Sequence, residues 1–96
     1  MIVEQTTFRL RKGKAREFEK HSDERLKRLR RSRGFVTQIM MRNADDPGEY
    51  RVELRWVSRE YRDRFQAREE SDGRALQQSF ASLLESPPAH CLLEYV

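Results

Sequence analysis

Apolar and polar residues alternate at the start of the chain. Ile2, Thr6, Phe8 and Leu10 share one face with Glu4, and Val3, Gln5, Thr7 and Arg9 share the other. Successive strand side chains point to opposite faces, so Ile2 to Leu10 predicts a strand. Lys12-Gly13-Lys14 breaks it. The period then changes. Ala15, Phe18, Ser22, Arg25 or Leu26, and Leu29 recur at helical spacing among charged residues, which predicts a helix from Ala15 to Arg31. Gly34 is placed to terminate it. Phe35 to Arg42 reads as a second strand, and Asn43 to Gly48 is a dense turn signal. Tyr50 to Val57 alternates again, with Tyr50, Val52, Leu54 and Trp56 opposite Arg51, Glu53 and Arg55. Ser58 is a candidate N-cap for a helix containing Tyr61 and Phe65. Ser71-Asp72-Gly73 interrupts that helix, and Leu76, Phe80, Leu83 and Leu84 resume it until Pro87-Pro88. His90 to Val96 completes the series as a strand.

The order β-α-β-β-α-β predicts an α+β fold of the ferredoxin-like kind, a four-stranded antiparallel sheet with its helices on one face. The Tyr50-Val52-Leu54-Trp56 side would lie under the helices. The Arg51-Glu53-Arg55 side would face water or a partner.

Composition narrows the picture. The 96 residues suit a single domain spanning 1–96. Hydrophobic residues are 36% and charged residues 38%, which leaves a lone copy little to bury and makes self-association an expectation. MIVEQTTFRL lacks the basic start and apolar run of a signal peptide. No stretch reaches the roughly 20 apolar residues of a membrane span. One cysteine, Cys91, rules out an intrachain disulfide and suits a reducing cytosol. The expected location is the cytoplasm. The net charge of +4 is mostly balanced charge, with a local excess at Lys27, Arg28, Arg30, Arg31 and Arg33. Such a cluster contacts phosphates in some proteins, but it also suits the solvated C-terminal turn of a helix, whose dipole favours cations.

The chain carries no strong catalytic or metal motif. Its two histidines, His21 and His90, and its one cysteine lack metal-ligand spacing. His90 and Cys91 are adjacent on a predicted strand and point to opposite faces. His21 lies beside the Phe18 stripe and reads as a partly buried structural histidine. There is no glycine-rich phosphate loop and no nucleophile elbow. RNA-recognition domains share the element order but stack bases on aromatic residues of the open sheet face. Here that face shows Val3, Gln5, Thr7, Arg9, Arg51, Glu53 and Arg55, so nucleic-acid binding is not expected. Tyr50 and Trp56, read from position alone, pack under a helix.

Several short elements together resemble the antibiotic biosynthesis monooxygenase family of the dimeric α+β barrel superfamily. They are Lys12-Gly13-Lys14 leading to Phe18, Gly34-Phe35, Asp46-Pro47-Gly48, and Tyr50 to Trp56 followed by Ser58, Glu60 and Phe65. The Trp56-Val57-Ser58 element before a helix is the most typical. The resemblance implies a homodimer whose sheets face each other, with a pocket between sheet and helices in each subunit. It implies oxidation of a small aromatic or quinol-type molecule by molecular oxygen, without flavin, haem or metal. Trp56 and Tyr50 would be pocket walls and Thr6 a polar pocket residue, with His21 and Gln78 as further candidates. A haem-degrading branch of the superfamily uses an asparagine, a tryptophan and a histidine. Trp56 matches the tryptophan, but Thr6 and Gln78 stand where the other two are expected, so haem is not the expected cofactor. The charged open face would line the dimer, with Arg51, Glu53 and Arg55 pairing with neighbours on the Glu4 side or with symmetry mates.

Overall fold

The computed structural model describes residues 1–72 and 74–96, apart from the side chains at 74–77. The elements are β1 (Ile2–Arg9), α1 (Ala15–Arg30), β2 (Phe35–Asn43), β3 (Asp46–Trp56), α2 (Arg59–Asp72), α3 (Arg74–Ala81) and β4 (Ala89–Glu94). The predicted break at Gly73 lies outside the described residues, and so does the side chain of Leu76, whose backbone is helical as expected. The four strands form one antiparallel sheet in the order β2-β3-β1-β4, the ferredoxin-like arrangement.

Alternation sorts the side chains as predicted. Phe8, Tyr50, Val52, Leu54 and Trp56 are buried on the helix side with Phe18 and Leu29 of α1 and Phe65 of α2. Burying such side chains is worth about 1.5–3 kcal/mol each, which makes this layer the main source of stability. Phe18 anchors it, with ring centroids 5.1 Å from Phe8 and 4.9 Å from Tyr50. Trp56 is fully buried between Phe35 and Phe65, both at 5.5 Å.

Strand ends shift by one or two residues, as in β4, which runs from Ala89 to Glu94 instead of His90 to Val96, and three further boundaries differ from the sequence expectation for a visible reason. The hairpin turn is only Ala44-Asp45, and β3 begins at Asp46, four residues before the predicted start at Tyr50. Side chains make this possible. Asn43 Oδ1 accepts the Asp45 N–H at 2.9 Å, and Asp46 Oδ1 accepts the Gly48 N–H at 3.2 Å. The register jumps from Arg42↔Tyr50 to Asn43↔Asp46, so Pro47 sits in an irregularity where β2 asks nothing of its missing N–H. The second difference is at the end of α1. The helix stops at Arg30, where the Ser32 N–H binds the Leu29 carbonyl at 2.9 Å. Gly34 lies beyond that stop and turns the chain into β2 with a φ of +84°. A Cβ there would lie 2.3 Å from the Tyr61 ring, so the position demands glycine twice over. Thirdly, α3 ends at Ala81, before Leu83 and Leu84. Both leucines are buried, and main-chain bonds tie the segment to the end of β1: Arg11 N–H to the Leu83 carbonyl at 2.8 Å and Glu85 N–H to the Arg9 carbonyl at 2.9 Å. Their helical spacing reflects burial by bridging, which periodicity cannot separate from a helix.

The open face pairs its own charges. Glu53 accepts from Gln5 Nε2 at 3.0 Å and lies 3.7 Å from Arg55, and Arg51 pairs with Glu49 at 3.2 Å. Among the described residues Glu4 itself pairs with Arg62 on the helix side, and its neighbour Gln5 is the β1 residue that meets Glu53.

Candidate functional site

A cavity of about 290 Å³ lies between the β1–β4 half of the sheet and the helices. Its floor is the helix-facing row of β1, Glu4, Thr6 and Phe8, with His90 of β4 directly opposite Thr6. One wall is α1, where His21, Glu24, Arg25 and Arg28 recur at helical spacing. The other is α2, with Arg62, Gln66 and Glu69 on one stripe. Phe80 and Pro88 close the end.

The two ends of the cavity are chemically unlike. Phe8 and Phe80 meet edge to face at 5.3 Å, and His21 lies edge-on to Phe80 at 6.2 Å. This end offers ring surface. The other end is held by ion pairs. Arg62 Nε donates to Glu4 Oε2 at 2.5 Å, and both residues are largely buried. Arg28 binds Glu69 through two nitrogens, Nε at 3.2 Å from each oxygen and Nη2 at 2.9 Å from Oε1. Such bidentate, charge-assisted pairs are the strong ones. Desolvation pulls on Arg62, but hydrogen bonds to Glu4 and Asp63 outweigh it and raise its pKa. Desolvation dominates at Arg25 and lowers its pKa, against the pull of Glu4 and Glu69. Arg62 Nη2 also lies 3.3 Å from His90 Nε2. A guanidinium can only donate, so in this contact the His90 Nε2 is the acceptor.

Thr6 and His21 come together in this cavity. Trp56 and Tyr50 do not line it: they are 0% and 2% exposed and sit one layer behind, against Phe65 and Phe18. Tyr50 Oη and Trp56 Nε1 are buried without a hydrogen-bond partner among the described residues. Gln78 is exposed and outside the lining. The residue set expected of the haem-degrading branch is not assembled in this cavity. The position expected for its histidine holds an exposed glutamine, and the Nε2 of His90 is already covered by a cation. No group of three or more potential metal ligands occurs among the described residues.

Sequence reasoning missed Glu4, Arg25, Arg28, Arg62, Glu69 and His90 as cavity residues. Glu4 gave a signal, because a carboxylate amid Ile2, Thr6 and Phe8 on a core-facing row needs a buried partner. The α2 stripe gave none, since its cavity-facing side is itself polar.

The fold has solved counterparts. A cofactor-independent oxygenase of Streptomyces nogalater, SnoaB, superposes with a TM-score of 0.85 over 99% of this chain and 92% of its own, at 21% identity. A Mycobacterium tuberculosis protein does so at 0.81 over 99% and 94%, at 20% identity. A conserved Methanosarcina mazei protein does so at 0.83 over 96% and 89%, at 12% identity. No curated protein matches in sequence. The class defined by sheet order and helices is thus the ferredoxin-like α+β fold of these proteins. The chain belongs to the antibiotic biosynthesis monooxygenase family, whose profile matches residues 1–73.

Proposed function

We propose that this protein is a cofactor-independent monooxygenase that oxidises an aromatic or quinol-type small molecule with molecular oxygen. The observation that carries the reading is the cavity with an aromatic end and a cationic end. A ring system packs on Phe8 and Phe80, and anionic charge developing on it is stabilised by fixed guanidinium groups. In such a reaction an activated CH₂ gives up a proton, and the resulting carbanion passes its electrons to dioxygen. One oxygen atom stays as a carbonyl and the other leaves in water, so CH₂ plus O₂ yields C=O plus H₂O. His21 is the candidate proton acceptor, since it lines the cavity beside the aromatic end and makes no hydrogen bond among the described residues. The cytoplasm is the proposed location, in keeping with the exposed free thiol of Cys91. No described helix is long and apolar enough to cross a membrane.

The working unit we propose is a homodimer joined through the open sheet face. Met41 and Leu93 are exposed there at 43% and 48%, and Arg55 Nε is buried without a partner among the described residues. Self-association would cover the apolar surface and supply an acceptor. Light scattering at micromolar concentration reads a dimer mass; a monomer mass removes this part of the reading.

A second reading is a non-catalytic barrel that only binds a small molecule. It is favoured by the pairing of Glu4 with Arg62 and Glu69 with Arg28, which ties up groups that acid–base chemistry would use. Oxygen uptake decides between them. With an anthrone or hydroquinone the monooxygenase consumes one O₂ per substrate, and His21→Gln slows turnover roughly a hundredfold. Saturable binding without oxygen uptake leaves only the second reading.

A further inference from the structure

The cavity is lined by three carboxylates, Glu4, Glu24 and Glu69, and by as many guanidinium groups, but hydrogen bonds pair only two of each. Three guanidinium groups, those of Arg25, Arg28 and Arg62, line the cavity. Glu4 is committed to Arg62, and both oxygens of Glu69 are taken by Arg28. Arg25 Nε is 4.0 Å from Glu69 Oε1, too far for a hydrogen bond. Among the described residues Arg25 donates none. Its guanidinium lies over the Phe65 ring, 5.7 Å from the centroid, and Phe65 in turn rests on Trp56 at 5.5 Å. A guanidinium held over a ring and bonded to neither carboxylate keeps its N–H donors available. The carboxylates that act most on Arg25 are therefore already engaged elsewhere, while its surroundings desolvate it. The Arg25 side chain is still 31% exposed, so cavity water serves its free donors and a bound anion takes the place of that water.

We propose that the cavity selects an aromatic acid, with the ring on Phe8 and Phe80 and the carboxylate on the N–H groups of Arg25. This rests on the cavity being the ligand site proposed above, and it adds the charge of the ligand. A carboxylate matches the guanidinium fork in a way that a neutral amide of the same shape does not. Arg25 is then a specificity-determining residue, and its position is set by Phe65 and Trp56.

The test is calorimetric titration with naphthoate and with its neutral isostere naphthamide, neither of which can be oxygenated at a CH₂ group. Wild type should bind naphthoate roughly ten- to a hundredfold more tightly, the worth of one charge-assisted hydrogen-bonded pair. Added salt should narrow that gap. Arg25→Gln should abolish it, lowering naphthoate affinity far more than naphthamide affinity, and Arg25→Lys should restore part of it. Equal affinities in the wild type overturn the proposal without reference to any variant. So does a gap that survives in an Arg25→Gln protein with native circular dichroism. If naphthamide binds and naphthoate gains nothing, only the charge selectivity falls. If neither ligand binds, the cavity is not a ligand site and the oxygenase reading falls with it.

Discussion

Two buried regions of this molecule lie side by side and are built on opposite principles. Behind the cavity, Trp56, Phe65, Phe18 and Tyr50 fill space completely, and their polar atoms are either absent or unpaired. In front of them, Glu4, Arg62, Arg28 and Glu69 surround empty space and satisfy one another. Packing stabilises the first region by removing apolar surface from water. The second gains little net stability, because desolvating ions offsets most of their attraction. A charged, open cavity next to a dense core is therefore better understood as a binding surface than as a stability device. Arg25 joins the two, with its guanidinium carbon 5.7 Å from the centre of the Phe65 ring and its side chain lining the cavity.

The largest expected effect comes from breaking the packed region. Trp56→Ala removes a fully buried indole from between Phe35 and Phe65. The expected loss is about 3–5 kcal/mol of stability, read from the urea midpoint. Ligand affinity should also fall in the surviving native protein, through displaced Phe65 and Arg25. An unmoved midpoint with lost ligand binding would instead make Trp56 a cavity wall and erase the distinction between the regions.

Next in size is a break in the charged region. Glu4→Gln leaves the Arg62 guanidinium with a neutral acceptor in a site where its side chain is only 15% exposed. About 1.5–3 kcal/mol should be lost, the worth of a hydrogen bond to a charged group. The same change should strengthen the binding of an anionic ligand, where Arg25→Gln weakens it, because it adds to the cavity's positive charge. If Glu4→Gln is neutral in stability while Trp56→Ala is severe, the ion pairs contribute no net folding energy at all.

How far each region was legible in the sequence follows from the same contrast. Alternation in β1 and β3 placed Phe8, Tyr50, Val52, Leu54 and Trp56 on the covered face, because apolar burial writes a period into a chain. The element order, and with it the sheet order, followed. The hairpin and the Leu83-Leu84 segment were misplaced because their geometry depends on tertiary bonds, from Arg9 to Asp46 at 2.6 Å and from Arg11 to the Leu83 carbonyl. The cavity was the least legible part. Arg28 was read within a solvated basic cluster, yet its partner Glu69 is 41 positions away. Arg62, Gln66 and Glu69 look like any exposed helical stripe until the sheet is placed beneath them. Only Glu4 broke a pattern visibly.

The smallest effect gives the sharpest comparison. Tyr50 belongs by position to the packed region, 2% exposed and in ring contact with Phe18, yet it carries a hydroxyl without a partner among the described residues. A buried hydroxyl with no hydrogen bond loses its hydration and gains nothing in return. Tyr50→Phe removes that cost and keeps the ring, so stability should change by no more than about 1 kcal/mol, toward the stable side. Oxygen uptake and naphthoate affinity should stay at wild-type values, because the hydroxyl is outside the cavity lining. A destabilised Tyr50→Phe protein would mean that the hydroxyl is hydrogen-bonded in solution. A stable one that has lost ligand binding would carry the cavity through Phe18 to Tyr50, and the packed region would then share in recognition rather than only supporting it.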